Sequence, residues 1–96
     1  MIYDFEVTEE DVAEAERLVI RYDPFSFAVN CPVALAIKRA TGTESVSADY
    51  RRAIVSGIPY RYGDWRRVRE IINWFDAGCV GKKPALPLTS SLRRSR

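Results

Sequence analysis

Apolar and polar residues alternate from Ile2 to Val7, with Tyr3, Phe5 and Val7 separated by Asp4 and Glu6, and this period of two predicts a half-buried strand. Thr8 with Asp11 three positions on reads as a capping box, and the acids Glu9, Glu10 and Asp11 suit the positive end of a helix dipole. A helix is therefore expected from Glu9 to about Tyr22, its buried stripe made by Val12, Ala15, Val19 and Tyr22. Pro24 ends that helix and opens an apolar loop, Phe25 to Val29, whose aromatics are expected to tuck into the core.

The pattern then returns to a helical period. Asn30 or Cys31 is the cap, Pro32 lies in the first turn, Val33, Ala36, Ile37 and Ala40 form a buried stripe, Lys38 and Arg39 favour the last turn, and Gly42 terminates the helix. Alternation resumes over Val46 to Tyr50, Ala53 to Ser56 and Ile58 to Tyr62, with Pro59 implying an edge strand or a bulge. Asp64 is expected to cap a third helix from Trp65 to about Ala77, with Trp65, Val68, Ile72 and Phe75 on its inner face. Lys83 to Leu88 reads as an extended segment and Thr89 to Arg96 as a basic tail without fixed structure. These elements add up to an α+β fold, a small antiparallel sheet covered on one face by three helices, with residues 1–88 as one domain and 89–96 as the tail.

Composition narrows the chemistry. At 96 residues and 47% hydrophobic content the chain has room for one core, and its two cysteines cannot form a secreted disulfide framework. No apolar run reaches membrane-spanning length and the start lacks the pattern of a signal peptide, so a cytoplasmic protein is expected. Histidine is absent, which removes the commonest general base and the usual partner of a nucleophilic serine or cysteine. Metal-ligand spacing and a phosphate-cradling glycine loop are missing too, so no enzyme activity and no cofactor are expected.

The formal charge of +2 conceals an asymmetry: residues 1–48 hold nine acids and four bases, a net −5, and residues 49–96 hold four acids and eleven bases, a net +7. Pairing between the two halves would absorb it, and an anionic partner on the basic side is the alternative. The basic half interleaves arginines with aromatics: Tyr50, Arg51, Arg52, Tyr60, Arg61, Tyr62, Trp65, Arg66, Arg67 and Arg69. Guanidinium forks bind phosphates and aromatic faces stack on bases, the two contacts a nucleotide site needs. The expected ligand-binding set is Arg51, Arg52, Arg61, Arg66 and Arg67, with Tyr60 or Tyr62 stacking on a base. The same aromatics, exposed, would favour a homodimer or a higher homo-oligomer.

The stretch Cys31-Pro32-Val33-Ala34-Leu35-Ala36-Ile37-Lys38-Arg39-Ala40-Thr41-Gly42, followed by Val46-Ser47-Ala48 and by Trp74-Phe75-Asp76-Ala77-Gly78, resembles a family of small uncharacterised phage and prophage proteins. That family shows a C-P-[VI]-A-x-A-x-[KR]-R-A-x-G helix, a V-S-V-like strand, a helix ending in F-D-x-G and a closing extended segment, and the likeness covers roughly residues 30–88. Here the closing segment carries Pro87, which departs from a strand-like ending. The matched residues are caps and core and transfer no site. The resemblance implies a protein of a mobile element acting in the host cytoplasm, where blocking host defence is a common task. Two mechanisms follow: sequestration of a phosphorylated nucleotide signal, or docking on a host defence effector such as a CRISPR nuclease complex. Direct nucleic-acid binding, with Arg93, Arg94 and Arg96 in support, is a third reading that the modest net charge disfavours.

Overall fold

The computed structural model describes residues 2–95. In β1 (Ile2–Val7) the alternation places Phe5 and Val7 in the core and leaves Asp4 and Glu6 in solvent. Helix α1 (Glu9–Leu18) starts on the expected capping box: the Thr8 hydroxyl accepts from the Asp11 N–H, and the Asp11 carboxylate accepts from the Thr8 N–H at 2.8 Å.

It ends four residues earlier than its pattern predicts. Val19 is extended (φ −72°, ψ 133°), and the Ile20 N–H donates to the Ser26 hydroxyl at 2.9 Å instead of continuing the helical ladder. Tyr22, expected in the buried stripe, is 91% exposed. Pro24, expected to open a loop, occupies the first turn of a fourth helix, α2 (Pro24–Asn30), which Asp23 caps by accepting from the Phe25 N–H. Of the aromatics expected inside, Phe27 packs edge-to-face on Phe75 with centroids 5.9 Å apart, whereas Phe25 lies outside.

Helix α3 (Pro32–Thr41) follows its pattern closely. The Cys31 thiol accepts from the Ala34 N–H, Pro32 occupies the first turn, and Gly42 closes the helix in the left-handed region at φ 74°. Val33, Ala34, Ala36 and Ile37 are buried, but Ala40 is exposed at the end of the expected stripe. Strand β2 (Val46–Ala48) is shorter than expected because residues 49–52 form the turn that follows it, and β3 (Ala53–Val55) gives up Ser56 to the next turn. Ser56 and Gly57, both at positive φ, make a two-residue hairpin into β4 (Ile58–Tyr62). Helix α4 (Trp65–Asp76) follows; Asp64 stands at its start but makes no side-chain capping bond, its carboxylate facing Arg67 at 3.7 Å instead.

The largest departure is at the carboxyl end. The expected basic tail is a strand, β5 (Leu88–Arg94), and it lies inside the sheet, whose order is β1-β5-β4-β3-β2 with every pairing antiparallel. Leu88 and Leu92 are buried on the helix side, and the polar residues between and after them read as a solvated tail only while their partner strands are unseen. Arg96, the last residue of that expected tail, lies outside the described residues. The insertion also makes β4 an inner strand, against the edge position expected from Pro59. The proline is tolerated because its nitrogen faces β5 beyond that strand's last residue, where Pro59 contributes only its carbonyl, accepting from the Ser95 N–H.

The helices cover one face of the sheet, with α3 packed against β1, β2 and α4. Val33 and Ile37 of α3, Val68, Ile71 and Phe75 of α4, and Leu88 and Leu92 of β5 meet in one core. The fold is the expected α+β domain, with four helices among the described residues in place of three. No helix among the described residues is long and apolar enough to cross a membrane.

Candidate anion-binding surface

The turn between β2 and β3 is built by Asp49, whose carboxylate accepts from the N–H groups of Arg51 and Arg52 at 2.7 and 2.9 Å. This Asx-type turn holds Tyr50, Arg51 and Arg52 exposed at the end of the sheet and brings Tyr50 beside Arg69 in the first turns of α4. On α4, burial of Val68, Ile71, Ile72 and Phe75 leaves Trp65, Arg66 and Arg69 together on one exposed flank.

Turn and helix meet in a ladder of alternating cations and rings. Arg51 lies over Tyr50 (5.6 Å from guanidinium carbon to ring centroid), Arg69 over both Tyr50 (5.5 Å) and Trp65 (4.7 Å), and Arg66 over Trp65 (5.2 Å). All four distances fall within the range of a cation–π contact. Tyr50 and Trp65 are nearly half exposed. Among the described residues neither Arg51, Arg66 nor Arg69 makes an ion pair or a side-chain hydrogen bond; of the acids nearby Asp64 faces Arg67, Asp49 holds its own turn, and Glu70, one helical turn after Arg66, is exposed and unpaired with it. A guanidinium near a ring centroid and without an acidic partner keeps N–H donors to offer, and those donors are what a phosphate uses.

The expected site residues scatter. Arg51 and Arg66 join the ladder. Arg67 lies on the opposite flank of α4, near Glu70, Lys82 and Lys83, with its charge directed to Asp64. Arg52 and Arg61 belong to the far side of the sheet, away from the helices. Tyr60 and Tyr62 are corrected outright. Both are buried, Tyr60 edge-to-face with Tyr3 and Tyr62 with Phe5, so neither can stack on a base. The aromatic basis for a homo-oligomer there is removed with them, leaving Trp65. Period-two alternation around Arg61 already assigned both tyrosines to one face, and the i, i+4 spacing of Trp65 and Arg69 was the signal for the real pairing.

Other candidates lead elsewhere. Cys31 is fully buried as the α3 cap, and burial pushes its thiol up to about 11. Cys79 donates to the Glu16 carboxylate at 3.4 Å, and both cysteines are free. The largest hollow described, about 860 Å³, is open and mixes Asp4, Glu6 and Asp64 with Arg39 and Arg93, so it concentrates no single sign of charge. Comparison with family models, with curated proteins and with solved structures matches nothing to this chain.

Proposed function

We propose that this chain is a non-enzymatic binding protein whose ligand is a phosphorylated nucleotide, taken up on the surface formed by Tyr50, Arg51, Trp65, Arg66 and Arg69. One observation carries the reading: three guanidiniums lie within cation–π distance of two rings and have no acidic partner among the described residues. The forks are ordered before a ligand arrives, which lowers the entropic cost of engaging a phosphate. A base can stack on the half-exposed rings or on a guanidinium plane. The setting we propose is interference with host defence in the host cytoplasm, by removing a nucleotide signal; the resemblance of residues 30–88 to phage proteins supports it.

Calorimetric titration with a panel of linear and cyclic nucleotides tests the reading. Heat is expected with at least one, and Trp65→Ala is expected to weaken it by about 1–3 kcal/mol, roughly 5- to 150-fold. Arg69→Ala, which removes the guanidinium shared by both rings, should cost a similar amount. Silence across the panel would discard nucleotide sequestration in favour of docking on a host effector.

A further inference from the structure

On the sheet face turned away from the helices, Arg61 of β4 stands directly opposite Arg93 of β5. One step past the Ala53–Tyr60 pair, extending the same antiparallel register sets Arg52, the last residue of the turn, beside Arg61; on its other side the Arg52 carbonyl accepts from the Asp49 N–H and closes that turn. Three arginines, two on neighbouring strands and one at the turn residue that precedes β3, thus form one transverse row spanning about 10 Å at the usual strand spacing. All three are exposed, and none is in an ion pair among the described residues.

Like charges directly opposite one another on a sheet are destabilising, so a row of three without intervening acids weakens the fold unless an anion sits on it. Asp4 and Glu6 occupy the same face along β1 and bound the row on that side. An anionic chain lying on Arg93 and Arg61 is therefore directed away from β1, toward Arg52. At that end of the sheet the turn held by Asp49 carries Arg52 of the row and Arg51 of the ladder one residue apart along the chain.

We infer that the row Arg52, Arg61 and Arg93 is a track for backbone phosphates continuous with the ladder, and that the ligand is a single-stranded oligonucleotide rather than a mononucleotide. This deepens the nucleotide reading above and rests on it for the stacking half of the site. The ladder takes a base and its phosphate, and the row takes the phosphates that follow. A mononucleotide fills the first and leaves the second empty.

Fluorescence anisotropy with a labelled single-stranded 12-mer, competed by ATP and by inorganic polyphosphate, tests the inference on the intact chain. The 12-mer should bind at least tenfold tighter than ATP. The double substitution Arg61→Ala and Arg93→Ala should weaken the 12-mer at least tenfold and reduce the salt slope by about 1.4, the value for two phosphate contacts to a single strand. It should leave ATP affinity unchanged, and the melting temperature equal or higher, since like charges are relieved. Wild-type 12-mer affinity and salt slope in the double variant would overturn the inference, as would polyphosphate competing as well as the 12-mer. The ladder fails separately: if Trp65→Ala alters neither ATP nor 12-mer binding while the double variant still loses the 12-mer, the row stands and the stacking site does not.

Discussion

The buried hydroxyl of Tyr62 donates to the backbone carbonyl of Asp49 at 2.8 Å, fastening the end of β4 to the turn that carries Tyr50, Arg51 and Arg52. Burial pushes the phenol well above its ordinary range, so it remains a donor into alkaline solution as well as at neutral pH. A residue expected to touch the ligand instead positions the loop that carries the proposed site.

Tyr62→Phe keeps the ring against Phe5 and removes only the donor. We expect a loss of about 1 kcal/mol in urea unfolding and a few-fold loss of nucleotide affinity, because the turn is less firmly held. Tyr60→Phe, whose hydroxyl makes no hydrogen bond to another described residue, should leave affinity unchanged; equal effects from both would remove the positioning role.

Arg39 forks onto the nearly buried carboxylate of Asp11 and also donates to the Glu6 carbonyl at 2.7 Å, joining α3 to α1 and β1. Arg39→Ala leaves Asp11 with only its Thr8 contacts, and the expected cost is about 1–3 kcal/mol, reduced from the fully buried case because the arginine is half exposed. Arg39→Lys should recover only part, since an ammonium cannot span both acceptors. Chemical denaturation of the two variants separates the fork from the charge.

Cys31 carries a pH dependence. Below pH 9 its thiol is protonated in both folded and unfolded chains and has no effect. Between 9 and about 11 only the unfolded chain ionises, so stability falls as pH rises through that window, by up to about 2–3 kcal/mol. Cys31→Ser, which retains a capping oxygen for the Ala34 N–H, should lack this part of the alkaline loss. At pH 8, native Cys31 should resist a thiol reagent that modifies the half-buried Cys79.

The inner position of β5 makes the carboxyl end essential. Leu92→Ala should cost about 2–5 kcal/mol, as for other buried leucines, whereas Thr89→Ala on the exposed face should stay within about 0.5 kcal/mol. A chain ending at Pro87 should lose its native circular dichroism, because β1 would have no partner strand.

Local order was legible in the sequence wherever a single element carries its own evidence. The Thr8–Asp11 box, the Cys31–Pro32 start and Gly42 stop of α3, and the alternation of β1 and β4 are interactions between residues a few positions apart, and each is found in the fold. The arginine and aromatic content of residues 50–69 was legible in the same way, as composition. What only the tertiary structure decided is pairing over distance. Leu88 to Arg94 becomes a strand because β1 and β4 present open edges on either side of it, and Val19 leaves the helix because Ser26 claims the next N–H. The same reason divides the candidate site. Facing direction sends Tyr60 and Tyr62 inward, a turn brings Tyr50 to Trp65 and Arg69, and strand register aligns Arg61 with Arg93, residues thirty-two positions apart whose adjacency no local pattern encodes.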